Sequence, residues 1–191
     1  MELVGEQKIN ATRDVVFAAL NNTEILAKAI PGCEEIVKVS DTEMTAIVAL
    51  KVGPVRARFK GSVQLSNLNP PEGYTISGEG KAGPAGSARG GADVVLVEDG
   101  ENTILKYDVS AKVMGKFAQL GNRLIDSTAK KLAAQFFEEF AAIVVSETNA
   151  AAEAIDAEPA DAVSSDRGIG KSVVWIIVAL VAAAIIAFQV F

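Results

Sequence analysis

GKAGPAGSARGGADV, residues 80–94, holds five Gly and four Ala and almost no side-chain bulk. Three readings compete for it: a phosphate-cradling loop, a flexible linker, or sheet whose small residues leave room for something else. GEGKAG at Gly78 to Gly83 formally matches GxGxxG. That fingerprint works only where a parallel strand feeds a helix N-terminus, whose free N–H groups meet a pyrophosphate. Here Pro84 follows, and then Ala88, Gly90, Ala92, Val94 and Leu96 recur on one parity. Such alternation marks a strand. The stretch reads as two strands joined by a turn at Gly83 to Gly86.

The flanking sequence agrees. Val55, Ala57, Phe59, Gly61, Val63 and Leu65 share one parity, against Arg56, Arg58, Lys60 and Gln64 on the other. Leu105, Tyr107, Val109, Ala111 and Val113 alternate in the same way with Lys106, Asp108, Ser110 and Lys112. These are half-buried strands with a polar outer face. Turn residues at Asn69 to Gly73 and at Glu98 to Asn102 leave only short connections, which makes the strands antiparallel hairpins. A first strand fits Glu2 to Ile9. Asn10 or Thr12 can cap a short helix through Leu20, and Asn22 or Thr23 a second from Glu24 to Ala29, ended by Pro31-Gly32.

After Gly115 the period changes. Phe117, Leu120, Leu124, Thr128, Leu132, Phe136 and Phe140 recur at three and four, which predicts one long amphipathic helix to about Val145. The fold class is therefore α+β: an antiparallel sheet curled around a long C-terminal helix. Small residues on the inward parity (Gly78, Gly80, Ala82, Ala88, Gly90, Ala92) face that helix. Interiors pack to a density of about 0.75. Either helix and sheet meet tightly, or a cavity between them takes a guest.

Composition narrows the chemistry. The chain of 191 residues has no His, which removes His-based triads and His metal sites. The single Cys33 can form no intrachain disulfide and reads as a small buried hydrophobe. A net charge of −6 argues against a nucleic-acid surface. From Glu147 onward there are six acids and two bases, a balance of −4 that leaves −2 on residues 1–146. Residues 147–171 are rich in Ala, acids and Ser and read as a flexible linker. GIGKS, ending at Ser172, has Ser165 where a P-loop needs Gly. Residues 172–191, SVVWIIVALVAAAIIAFQVF, carry no charge. As a helix they would rise about 30 Å, the thickness of a bilayer core. They predict a single-pass tail anchor in the cell membrane. Arg167 and Lys171 before it, and an N-terminus with no leader pattern, predict a body held in the cytoplasm.

Three long stretches carry a family resemblance: AIPGCEEI (Ala29–Ile36), GPVRARFKGSVQLSNLNPPEGYTISGEGKAGPAGSARGGADV (Gly53–Val94) and LKYDVSAKVMGKFAQLGNRLIDSTAKKLAAQFF (Leu105–Phe137). With the apolar tail, they resemble the CoxG family of carbon monoxide dehydrogenase, a branch of the helix-grip (SRPBCC, START/Bet v 1-like) superfamily. The resemblance implies a seven-stranded antiparallel sheet wrapped on a C-terminal helix, with a hydrophobic cavity between them. It implies a partner, a molybdenum hydroxylase of the carbon monoxide dehydrogenase type, and a role in bringing that enzyme to the membrane or linking it to the quinone pool. Molybdopterin, flavin and iron–sulfur sites belong to the enzyme's other chains; one Cys could not ligate such a cluster.

The inward positions expected to touch a ligand are Ala57, Phe59, Gly61, Gly78, Ala92, Val94, Tyr107, Val109, Phe117, Leu120, Leu124 and Phe136. Tyr107 is either a polar handle for a ligand carbonyl or a core tyrosine bonded to backbone. The Arg56, Arg58, Lys60 row reads as a solvated strand face or as a dock for an acidic partner. Asp126 and Lys130 are spaced as an i,i+4 ion pair, worth only tenths of a kcal/mol. No catalytic residue, metal site or intrinsic cofactor is expected. Three functions follow. One is a tethered carrier of a respiratory quinone, menaquinone or ubiquinone, between the lipid bilayer and the enzyme. Another is a recruitment adaptor whose cavity is incidental. The third, a small helix-grip enzyme, is disfavoured by the absence of His and of an inward acid.

Overall fold

Alternation from Val55 to Leu65 becomes a strand of 15 residues in the computed structural model, which describes residues 1–156. The strands are β1 (Glu2–Ile9), β2 (Cys33–Lys38), β3 (Glu43–Val52), β4 (Val55–Asn69), β5 (Gly73–Lys81), β6 (Ser87–Asp99) and β7 (Asn102–Met114). The helices are α1 (Arg13–Leu20), α2 (Thr23–Ala29) and α3 (Asn122–Asp156). One antiparallel sheet of seven strands runs β1-β7-β6-β5-β4-β3-β2. Neighbours are sequential hairpins except for β1, which pairs with β7 from Glu2↔Ser110 to Ile9↔Thr103. The sheet curves around α3, as the alternation and the family resemblance imply.

The glycine-rich stretch is the β5–β6 hairpin. A short 3₁₀ turn at Gly83–Ala85 joins the strands, and Gly86 leaves it at φ 126°, a region that L side chains rarely adopt. Gly78 pairs with Gly90 and Gly80 with Ala88, so nothing there is a helix N-terminus and the phosphate-loop reading is excluded.

Four local expectations need correction. Asn22 caps α2 by accepting the Glu24 N–H at 2.9 Å, whereas Thr12 stands before α1 without a side-chain capping bond. Phe117 and Leu120 lie outside the long helix, on a 3₁₀ segment, Gly115–Leu120; Gly121, at φ 86°, breaks the chain before α3 begins. At its other end α3 runs past Val145 to Asp156, into the start of the linker, where the Ala-rich composition already left room for the helix to continue some way. The apolar stripe records where burial stops, but Ala, the best helix former, carries the backbone helix further. Cys33, expected to be buried, is half-buried on the edge strand β2, and its thiol is pushed up by that burial. The rest of the linker and the apolar segment 172–191 lie outside the described residues. Among the described residues no helix is long and apolar enough to cross a membrane.

The tightest core sits where α1 and the second half of α3 meet β1, β6 and β7. Ile9, Val16, Leu96, Leu105, Phe140 and Val144 are each at most 2 % exposed. Thr103 is the one buried polar residue there, at 0 % exposed, and its hydroxyl donates to the Ala11 carbonyl at 2.8 Å. Replacing Thr103 by Val keeps the volume and orphans that carbonyl. Urea unfolding is expected to show a loss of about 1–3 kcal/mol, the cost of an unsatisfied buried acceptor.

Candidate functional site

Further along the concave face, α3 and the sheet diverge and leave a cavity of about 530 Å³. That volume lies within the roughly 300–1,000 Å³ of small-molecule sites. Its floor comes from five strands: Met44, Ala46, Val48 and Leu50 of β3; Val63 and Leu65 of β4; Tyr74 and Ile76 of β5; Ala92 and Val94 of β6; Leu105, Tyr107 and Val109 of β7. The roof is Leu132, Ala133, Phe136 and Phe137 of α3. Leu20, Leu26, Ile30, Pro31 and Ile36 form a side wall, with Leu3 of β1 opposite. No lining side chain is charged, and the lining's only side-chain oxygens are the hydroxyls of Tyr74 and Tyr107.

Five of the twelve expected positions line this cavity: Ala92, Val94, Tyr107, Val109 and Phe136. The other seven are absent from its lining. Phe59 and Phe117 pack on each other, ring centroids 5.2 Å apart. Leu124 lies against the β3–β4 turn, its Cδ2 2.9 Å from where a Cβ on Gly53 would stand. Leu120 ends the 3₁₀ segment, half-buried. Ala57 pairs with Leu50 at the same end of the sheet. Gly61 and Gly78 serve strand packing: a Cβ on either would lie 2.8 Å from a neighbouring strand's carbonyl oxygen. The cavity thus arises from sheet curvature over large apolar residues more than from the glycines.

Tyr107 contributes a ring face. It stacks on Phe137 with centroids 5.0 Å apart and an interplanar angle of 23°. It then reaches across Gly5 of the edge strand β1, its hydroxyl 2.3 Å from where a Cβ on that glycine would stand. Tyr74 is the tyrosine that sequence reasoning missed. It is 5 % exposed and meets Phe17 of α1 edge-on at 5.8 Å. Its phenol pKa is pushed up by burial, so it stays a protonated donor at neutral pH. The signal was present, because Tyr74 shares its parity with Ile76 and Gly78. The side wall was also unread: Ile25, Leu26 and Ala29 are spaced as a helix face, but α2 has only 7 residues.

The convex face is polar. Arg56, Arg58 and Lys60 are exposed there, joined by Lys51 of β3, Arg89 of β6 and Lys112 of β7. Arg58 pairs with Glu34, and Lys81 with Glu79 at 3.1 Å. The structure forms no Asp126–Lys130 pair; one Asp126 oxygen is instead enclosed without a partner. Among the described residues no group of three or more Cys, Asp or Glu is placed to hold a metal ion.

A family described as the CoxG subunit of carbon monoxide dehydrogenase matches residues 5–145. Comparison with curated proteins finds no match. Among solved structures, a conserved protein from Geobacillus kaustophilus is similar at 25 % identity and TM-score 0.72, covering 76 % of this chain and 96 % of its own. The ZhuI aromatase/cyclase from Streptomyces sp. R1128 shares the fold at 12 % identity and TM-score 0.58, covering 79 % and 97 %. A START superfamily protein from Mycobacterium smegmatis does so at 12 % and 0.53, covering 74 % and 98 %.

Proposed function

The chain belongs to the CoxG family of carbon monoxide dehydrogenase, and from that premise we propose that it is a membrane-tethered carrier of a respiratory quinone for a molybdenum enzyme of the carbon monoxide dehydrogenase type. The observation that carries this reading is the uncharged cavity of about 530 Å³ under α3. An isoprenoid quinone does not leave the bilayer for water unaided, since each exposed CH₂ costs about 0.8 kcal/mol. A cup of Leu, Val, Ile and Phe replaces lipid with similar surroundings, so extraction becomes nearly neutral. The apolar segment 172–191 is the anchor in this proposal and residues 157–171 are the leash, with the body on the cytoplasmic side. Tethering supplies a high local concentration of carrier at the bilayer, so tight binding is unnecessary and would slow release. This chain performs no chemistry on the quinone; its residues bind, shield and hand it over.

Calorimetric titration of the purified full chain with short-chain menaquinone and ubiquinone analogues tests this. Saturable binding of one quinone per chain is expected. The carrier reading fails if neither analogue binds and if membranes lacking this protein still let the partner enzyme reduce the quinone pool at full rate. A chain that binds no quinone, yet is needed for that reduction, is a recruitment adaptor.

A further inference from the structure

We propose that the Tyr74 hydroxyl is the polar anchor of the cavity, donating a hydrogen bond to a carbonyl oxygen of an otherwise apolar ring ligand. The inference rests on the cavity being a ligand site and adds what that ligand must carry. Tyr74 lies on the inward face of β5 opposite Val94, itself a lining residue. It is only 5 % exposed, and its ring is fixed edge-on against Phe17. Its hydroxyl makes no hydrogen bond among the described residues. Nor is its oxygen one of the two side-chain atoms sealed off without a partner, which are Arg13 Nε and Asp126 Oδ1. Tyr74 lines the cavity, which gives its hydroxyl open space in which to meet a ligand. Phenylalanine would fill the same place without leaving a donor unmet in an apolar chamber. Burial as the sole cause of the raised phenol pKa agrees with a donor that has found no acceptor in the protein.

The two tyrosines divide the work of recognition. The Tyr107 ring, stacked on Phe137, offers a flat apolar surface to one side of a planar ring system. Tyr74 offers the directed bond. A phenol donor and no charge suit a neutral ligand with a carbonyl on a fused or substituted ring. A carboxylate would enter with no cation to meet it, since no lining residue is basic.

The test compares wild-type full chain with Tyr74→Phe and Tyr107→Phe against two probes of nearly the same shape, 2,3-dimethyl-1,4-naphthoquinone and 2,3-dimethylnaphthalene. One neutral hydrogen bond corresponds to about a 2- to 10-fold change in affinity. Tyr74→Phe is expected to weaken the quinone by a factor in that range, to leave the hydrocarbon within about twofold, and to unfold at an equal or higher urea midpoint. Tyr107→Phe is expected to treat the two probes alike. The anchor assignment is overturned if Tyr74→Phe binds the quinone as wild type does, or weakens both probes equally. If wild type binds neither probe, the ligand-cavity reading fails and the anchor falls with it. If wild type binds only the hydrocarbon, the cavity stands and the anchor alone is wrong.

Discussion

Ala92→Phe is expected to abolish quinone binding, by about 100-fold or more, while the chain still folds. Ala92 sits at the middle of the cavity floor, between Ile76 on β5 and Val109 on β7, and all three residues line the same space. A phenyl group there points at Phe136 and Phe137 across the chamber and occupies the volume a ring ligand would take. Phenylalanine brings no N–H or O–H, so it adds no polar group that needs a partner. In a filled core such an enlargement costs about 1–3 kcal/mol through forced rotamers and shifted backbone. Here the cost is expected to be below about 1 kcal/mol, or reversed, because the new ring gains contacts where there were none. Urea unfolding and titration of the same variant provide both readings. A loss above about 3 kcal/mol would mean that the space is already taken up by its walls.

Gly90→Ala is expected to cost about 2–4 kcal/mol in equilibrium unfolding. The backbone of Gly90 lies in an ordinary region, so strain in φ is not the reason. The reason is proximity. A Cβ there would lie 2.2 Å from the Ser110 carbonyl oxygen and 2.9 Å from both Cα and Cβ of Ala111. Those neighbours are main chain or nearly so, held in the β6–β7 ladder opposite Gly90 itself. They cannot yield without opening that pairing. Gly83→Ala is the useful contrast. Nothing lies within 4 Å of its would-be Cβ, and the cost reduces to its positive φ of 54°, about 1–2 kcal/mol. Equal losses for the two variants would show that backbone conformation, not close approach of strands, selects the glycines of this hairpin.

That contrast explains what could be read from the sequence. Period-two alternation identified which face of β4, β6 and β7 turns inward, and the three-four spacing identified α3. Parity names a face but gives no position along it. Ala57, Phe59, Gly61 and Gly78 share the inward face with true lining residues, yet lie away from the cavity or only beneath it. Where the helix leaves the sheet depends on Phe59 meeting Phe117 and on Leu124 meeting the Gly53 turn. Those are contacts between distant segments that no local pattern encodes. Small residues were ambiguous for a related reason. Ala92 leaves room for a ligand, whereas Gly90, two residues before it on the same face, leaves room for a neighbouring backbone. One sequence signal serves both purposes.

The pairing of β1 with β7 sets an order of events during synthesis. Glu2 pairs with Ser110, which is made 108 positions later. Until then the strand ELVGEQKI has no native neighbour, while β2 to β6 can zip sequentially as hairpins. Contacts so distant in sequence close late and keep hydrophobic edges open to other chains meanwhile. The strand is built for that wait: Glu2, Glu6 and Lys8 place charges along one of its faces, which discourages stacking on another nascent chain. The Met1 nitrogen then donates to the Ala111 carbonyl at 3.0 Å, so the residue before β1 is fastened to the strand made last in the sheet.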